Sequence, residues 1–160
     1  MMQFNPLWNA HYDFNDEAHK AEIAKVERYD IKLDTRIYRD GDIISSPWGD
    51  NRVLISTLRN GQDVCVKSIT VKSGFMLSLQ RHRWREETCE VQSGILTMIA
   101  DGKRIELKKG DSLRMKRGTV HSLNNLHDEP VMLVETQLGF NREADNVRLI
   151  DFNGRPTYPL

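Results

Sequence analysis

The sequence has little cysteine, little proline and no excess charge of either sign. Its 160 residues include two cysteines and five prolines, and 23 basic residues balance 23 acidic ones. Cys65 and Cys89 form no CxxC motif and are too few for a disulfide framework, which is typical of a reducing cytoplasm. The lack of net charge and of dense Lys/Arg runs argues against a nucleic-acid partner. We therefore expect a small-molecule ligand or a second copy of the chain as the partner.

Long hydrophobic runs are also missing. No apolar stretch approaches the roughly 20 residues needed to cross a bilayer. Residues 1–17 lack the basic and apolar regions of a signal peptide. We expect a soluble, cytoplasmic protein with no membrane partner, and the length is that of a single domain.

The chain changes character near residue 46. Before it, Asn15 is a suitable N-cap, Asp16 and Glu17 favour the first turn, and the spacing that follows predicts a helix of about three turns. After it, short runs rich in β-branched residues alternate with glycine turns. We predict an N-terminal extension with one helix over residues 1–45, an all-β barrel over 46–155 and a C-terminal tail over 156–160.

The β-rich part contains short strand-like runs with no helical pattern between them. The predicted strands are 52–58, 64–71, 76–82, 88–93, 95–100, 104–107, 112–115, 119–123 and 131–138. Asp101-Gly102 predicts a tight hairpin turn. This spacing favours an antiparallel sandwich or barrel, with the polar segment 146–160 lying over its surface or mouth.

Four potential metal donors lie in two of these regions. Gln80 and His82 are two residues apart, so their side chains share one face of a strand. Glu87 follows closely, and His121 returns on a later strand. Two imidazoles, a carboxylate and an amide oxygen suit Zn²⁺, Mn²⁺, Fe²⁺, Co²⁺ or Ni²⁺. The alternative is a hydrogen-bonded polar core that holds no metal.

The spacing of these donors and of the glycines around them resembles the two motifs of the cupin family. Gln80 stands where most cupins have histidine, and Lys116 replaces a usual proline. The first motif is filled by Gly74, Gln80, His82, Glu87 and Gly94, and the second by Gly110, Gly118, His121 and Asn125. The resemblance implies a jelly-roll barrel (a double-stranded β-helix) that binds metal through Gln80, His82, Glu87 and His121, and it implies a homodimer.

Further segments resemble the C-terminal domain of type II mannose-6-phosphate isomerases, in which glutamine takes the first ligand position. They are Ser46–Gly49, Val66-Lys67, Leu77–Gln80, Glu135–Gln137, Val147-Arg148 and Gly154-Arg155. The chain departs from that family at Arg83, Trp84, Thr88 and Cys89, where the family usually has histidines and a tryptophan.

This resemblance implies a metal-dependent isomerase acting on a sugar or sugar phosphate, with zinc as the metal and Arg148 assisting catalysis. Arg155 and Lys67 are further candidates for binding an anionic group. Glu135 shares a strand face with Gln137 and is our candidate for the general base. For Arg148 the alternative is a salt bridge that fixes the tail.

Two other functions fit the same residues. The scarcity of histidines around the site is compatible with a non-catalytic cupin that binds a carbohydrate or another small molecule. The partial facial arrangement of His82, Glu87 and His121 is compatible with an oxygen-using metal cupin.

Overall fold

Eleven strands make up the secondary structure of the computed structural model, which describes residues 38–59, 62–139, 141 and 145–155. They are β1 (Ile43–Ser46), β2 (Gly49–Arg59), β3 (Gln62–Val71), β4 (Leu79–His82), β5 (Arg85–Ser93), β6 (Ile95–Ala100), β7 (Lys103–Lys108), β8 (Ser112–Met115), β9 (His121–Asn124), β10 (Val131–Gly139) and β11 (Asn146–Ile150). The helix predicted after Asn15 lies outside the described residues. No helix in the described part of the chain is long and apolar enough to cross a membrane.

The strands form two antiparallel sheets. The larger has the order β1-β2-β3-β10-β5-β8, and the smaller has the order β11-β4-β9-β6-β7. Apolar side chains from both sheets pack into one core, with Val71 and Leu133 from the larger sheet and Leu96 and Leu123 from the smaller one. The predicted all-β antiparallel architecture is confirmed. The domain boundaries and the homodimer stay predictions.

Two strands, β1 and β11, were not predicted from the sequence. β1 pairs with β2, and β11 pairs with β4 so that Arg148 lies opposite Gln80. Segment 146–150 was expected to lie over the barrel surface or its mouth, and it forms an edge strand instead. Its mixed polar composition is that of an edge strand with a solvated face, so it lacks the continuous apolar signal of a central strand.

Polar residues interrupt the apolar inner face of the larger sheet in two neighbouring rows. In one row Glu135 lies between Lys67 on β3 and Cys89 on β5. In the next row Gln137 lies directly opposite Glu87. Side chains two residues apart on a strand share a face, so the register places both carboxylates on the same inner wall.

A glycine lets the chain pass close to the segment that joins the two ligand-bearing strands. Gly139 at the end of β10 has a φ of 123°, and a Cβ atom built there would lie 2.2 Å from the carbonyl oxygen of Trp84. Only glycine accommodates that approach and that backbone conformation. The β4–β5 connection is therefore held tightly against β10.

Candidate metal centre and cavity

Two histidines and one glutamate converge inside the barrel. His82 ends β4, Glu87 lies in β5 and His121 begins β9, and all three side chains are buried. Their ligand atoms all lie within 4.8 Å of one another. The Nε2 atom of His82 is 3.1 Å from Oε1 of Glu87, and the Nε2 atom of His121 is 3.3 Å from Oε2. We call these three residues the triad.

The hydrogen bonding of the triad suits a cation. The Nδ1 atom of His121 lies 2.9 Å from the carbonyl oxygen of Thr119, to which it donates. In the neutral imidazole this leaves a lone pair on Nε2, facing the carboxylate of Glu87. Both His121 Nε2 and Glu87 Oε2 are buried and have no hydrogen-bond partner among the described residues. Two acceptors that face each other require a shared proton or a metal ion, so the triad fits a divalent metal.

The two histidines differ in their readiness to bind metal. Burial lowers the pKa of His82 to about 4, and the nearby cation of Arg85 acts in the same direction. Burial also disfavours the charged form of His121, but the attraction of the nearby Glu87 carboxylate outweighs it and raises the pKa. His82 is thus neutral at physiological pH, whereas His121 gives up a proton more reluctantly when it binds a metal.

Gln80 is next to the triad but is engaged elsewhere. It pairs with His121 in the β4–β9 register and lines the cavity described below. Its Oε1 atom accepts hydrogen bonds from Ser78 Oγ at 2.7 Å and from Asn146 Nδ2 at 2.8 Å. A carbonyl oxygen has two lone pairs, so Gln80 must exchange one of these bonds to become a metal ligand. Its place as the fourth ligand stays a prediction.

Two buried charged residues, Arg85 and Asp145, hold the triad and the segment between His82 and Glu87 in place. The Nε atom of Arg85 donates to Oε1 of Glu87 at 3.0 Å and lies 3.8 Å from Oδ2 of Asp145. The other oxygen of Asp145 accepts the backbone N–H groups of Arg83 and Trp84, at 2.9 and 2.7 Å. Burial raises the pKa of Asp145 to about 8, against the pull of Arg85 and Arg83 and of the two N–H donors. Asp145 thus fixes the connection between His82 and Glu87.

We expect Asp145→Ala to destabilise the metal-free protein by about 1–3 kcal/mol, because the buried N–H of Trp84 loses its acceptor and that of Arg83 keeps only a 3.3 Å hydrogen bond to the backbone carbonyl of residue 145. Asp145→Asn keeps an oxygen in place of Oδ1 and should cost less than about 1 kcal/mol. Urea denaturation of the two variants and the parent measures the difference. Equal losses in both variants would show that these hydrogen bonds do not stabilise the connection.

A second carboxylate lies near the triad. The Nε2 atom of Gln137 donates to Oε1 of Glu87 at 3.0 Å and also to Glu135. The thiol of Cys89 lies 3.6 Å from Oε2 of Glu135. Burial and the charge of Glu87 raise the pKa of Glu135 to about 7, whereas Lys67 lowers it. The role of Glu135 as a general base stays a prediction, and its raised pKa is compatible with it.

Glu87 of the triad lines a cavity of about 240 Å³. Its wall includes the carboxylates Glu87 and Glu135 and the cations Lys67, Arg85, Arg148 and Arg155. Lys67 is 1% exposed, and its Nζ atom lies 4.0 Å from the centre of the Tyr38 ring. The excess of cations favours an anionic ligand.

Arg148 and Arg155 reach this cavity from the end of the chain. Arg155 donates to Oδ1 of Asp151 through Nε at 3.1 Å and through Nη2 at 2.9 Å. The Nε atom of Arg148 lies 4.0 Å from the same oxygen. Asp151 thus draws both guanidinium groups to one part of the cavity wall. Arg148 lines the cavity and also contacts Asp151, and its assistance in catalysis stays a prediction.

The two antiparallel sheets and the interior triad define the chain as a cupin. A solved structure with the same fold is an RmlC-like cupin from Shewanella frigidimarina. It superposes with a TM-score of 0.54 at 18% identity, over 70% of this chain and 97% of that one. That likeness concerns the fold alone.

The particular family follows from the sequence match. The model of the mannose-6-phosphate isomerase C-terminal family matches residues 26–151, so the chain belongs to that family. The xanthan biosynthesis protein XanB of Xanthomonas campestris is 32% identical over 136 residues, 84% of this chain and 27% of that protein. A mannose-1-phosphate guanylyltransferase of Escherichia coli is 32% identical over 135 residues, with the same coverage. The chain therefore spans about a quarter of the length of these relatives.

Proposed function

We propose that this chain is a metal-dependent sugar-phosphate isomerase that interconverts an aldose and a ketose, with mannose 6-phosphate as the first substrate to test. The observation that carries the proposal is the buried triad of His82, Glu87 and His121 beside a cation-lined cavity. In this proposal the triad holds a divalent ion, most simply zinc, and Gln80 supplies a fourth donor. A bound ion would supply Lewis-acid polarisation of the carbonyl and hydroxyl oxygens of the substrate.

Glu135 would be the general base. Aldose–ketose interconversion moves a proton between neighbouring carbon atoms, so one group must accept it and return it. With a pKa raised to about 7, Glu135 has both protonation states available near neutral pH. The amide of Gln137 donates to both Glu135 and Glu87 and so holds the two carboxylates side by side. Glu135 would therefore lie near a substrate bound to the metal.

Arg148, Arg155 and Lys67 would bind the phosphate. Guanidinium groups match the geometry of phosphate oxygens and bind them through paired hydrogen bonds. Arg148 and Arg155 both lie near Asp151 on the cavity wall, which places two guanidinium groups close together. Both line the same cavity as Glu87, so one ligand could contact these guanidinium groups and a metal held by the triad.

The relatives favour a phosphorylated mannose as the ligand. One is named a mannose-1-phosphate guanylyltransferase, and the family model is named for mannose-6-phosphate isomerase. Both names concern mannose phosphates, and they support a proposed role of this chain in sugar-nucleotide metabolism.

The proposal is tested by loading the purified chain with Zn²⁺, Mn²⁺ or Co²⁺ and supplying mannose 6-phosphate. A coupled assay should detect fructose 6-phosphate, and a chelator should abolish its formation. Absence of interconversion with all three metals at full occupancy rejects this substrate.

One observation favours a second candidate, an oxygen-using metal cupin. With Gln80 engaged by Ser78 and Asn146, the triad alone presents two histidines and one carboxylate, the donor set of many non-haem iron oxygenases. Selective retention of iron, together with oxygen consumption in an oxygen electrode, would support this candidate over the isomerase.

We expect Arg148→Ala to lower kcat/KM for the sugar phosphate by about 10- to 100-fold, because a charge-assisted hydrogen bond contributes about 1.5–3 kcal/mol. Metal content should not change. Arg104→Ala is the matched control, since Arg104 is largely exposed and pairs with Glu106 on the surface. An Arg148→Ala enzyme as active as the control variant would exclude Arg148 from substrate binding.

A further inference from the structure

Several buried polar atoms around the cavity have no hydrogen-bond partner among the described residues. They are Nε1 of Trp48, Oδ1 of Asn51, Oε1 of Gln137 and Oδ1 of Asn146, and all four residues line the cavity. Trp48 is 5% exposed and Gln137 is 1% exposed. A buried polar atom without a partner is costly and rare in a folded protein, so a group of four around one cavity points to a ligand.

The surrounding residues do not supply the missing partners. An indole N–H only donates. The Nε2 atom of Gln137 already donates to Glu87 and Glu135, and turning this amide over would place its oxygen against two carboxylates. The Nδ2 atom of Asn146 likewise donates to Gln80.

The four residues are distributed along the cavity wall. Gln137 lies opposite Glu87 and Asn146 lies opposite His82, so both are beside the triad. Asn51 lies opposite Ile69, which pairs with Leu133. Leu133 precedes Gln137 by four residues on β10, about 13 Å along the strand. A ligand that satisfies all of them must carry polar groups along its whole length.

We propose that four residues bind the hydroxyl groups of a polyhydroxylated ligand and so select for it. They are Trp48, Asn51, Gln137 and Asn146. The set mixes one donor with three acceptors, and a hydroxyl group both donates and accepts. A phosphate dianion only accepts, so it would satisfy Trp48 and leave the three amide oxygens unpaired. The inference rests on the proposed function for the identity of the cavity's ligand, and it assigns the recognition of hydroxyl groups to residues other than the metal donors and the arginines.

The test compares ligands that share a phosphate but differ in hydroxyl groups. Isothermal titration of the zinc-loaded chain with mannose 6-phosphate, glucose 6-phosphate, fructose 6-phosphate and n-hexyl phosphate gives four affinities. At least one hexose phosphate should bind 10-fold or more tightly than n-hexyl phosphate. Trp48→Phe keeps the aromatic packing but removes the N–H group, and Asn51→Ala removes an acceptor far from the triad. Each should weaken the favoured hexose phosphate about 5- to 10-fold and leave n-hexyl phosphate unchanged.

Asp50→Ala is the matched control, because Asp50 is the exposed neighbour of Asn51 on the same strand. Thermal unfolding of each variant verifies that it is folded. The inference is overturned if hexose phosphates bind no tighter than n-hexyl phosphate, or if Trp48→Phe and Asn51→Ala leave the difference between the ligands intact. Failure of the proposed isomerase is separable from this outcome, since it would appear as selective hexose phosphate binding without turnover.

Discussion

Glu87→Gln is expected to lower the affinity for a divalent metal by about 10³-fold and to abolish turnover. Glu87 faces both histidines, so the substitution removes the only negative charge of the triad while keeping the shape of the side chain. Loss of one partner of a buried charged cluster costs about 3–5 kcal/mol, which corresponds to a loss of this size in affinity. Metal content after dialysis and competitive titration with a chromogenic chelator measure the change.

The chain offers a control at the adjacent position. Glu86 points outward and pairs with the exposed Arg114, with a shortest distance of 2.9 Å. Glu86→Gln removes the same charge from the neighbouring residue, and metal affinity should stay within about 2-fold of the parent, because a surface salt bridge contributes at most about 1 kcal/mol. Equal metal binding by the two variants would remove Glu87 from the metal centre.

Glu135→Gln is expected to reduce kcat by about 10²- to 10⁴-fold while leaving metal content unchanged, since a positioned general base contributes a factor of this size. The base acts in its ionised form, and the pKa of Glu135 is raised to about 7. Turnover by the parent should therefore fall about tenfold per pH unit below pH 7 and level off above it. The residual activity of the variant should lack this acidic limb. Rates measured from pH 5 to 9 with saturating metal and substrate provide the profile.

Stability supplies a readout for Glu135 that does not depend on turnover. The folded-state pKa lies above the ordinary value of 4.5, so the contribution of this carboxyl to stability is fully present below pH 4.5 and is lost as pH rises to about 7. Glu135→Gln has no ionisable group at this position, so its free energy of unfolding does not fall for this reason. Relative to the parent, the free energy of unfolding of the variant should therefore increase between pH 4.5 and 7. A variant with full activity and the parent's acidic limb would exclude Glu135 as the base. Glu90→Gln, an exposed position, is the control.

Much of the barrel was predictable because alternating strands and glycine turns are local signals. The predicted hairpin at Asp101-Gly102 has positive φ angles of 47° and 77°, as a tight turn between β6 and β7 requires. His82, Glu87 and His121 could be predicted to meet because strand parity and the resemblance to cupins agreed. Strand parity and the motif spacing each indicate which residues share a face of a strand.

The supporting contacts could not be predicted in this way. Asp145 contacts the β4–β5 connection from 62 residues downstream of Arg83, and no local pattern marks such a contact. The bridging amide of Gln137 depends on the pairing of β10 with β5, which is a property of the sheet order. The hydrogen bonding of Gln80 could not be predicted from the motif either. Its amide oxygen accepts two hydrogen bonds from protein groups, and the motif spacing does not indicate them.

Anomalous X-ray diffraction at the zinc edge, from crystals grown with Zn²⁺, would show whether the triad holds a metal ion. We expect one strong peak per chain, about 2.0–2.2 Å from Nε2 of His82, Nε2 of His121 and a carboxylate oxygen of Glu87. A map with no peak between these three side chains, at a zinc concentration that saturates binding in solution, would contradict it.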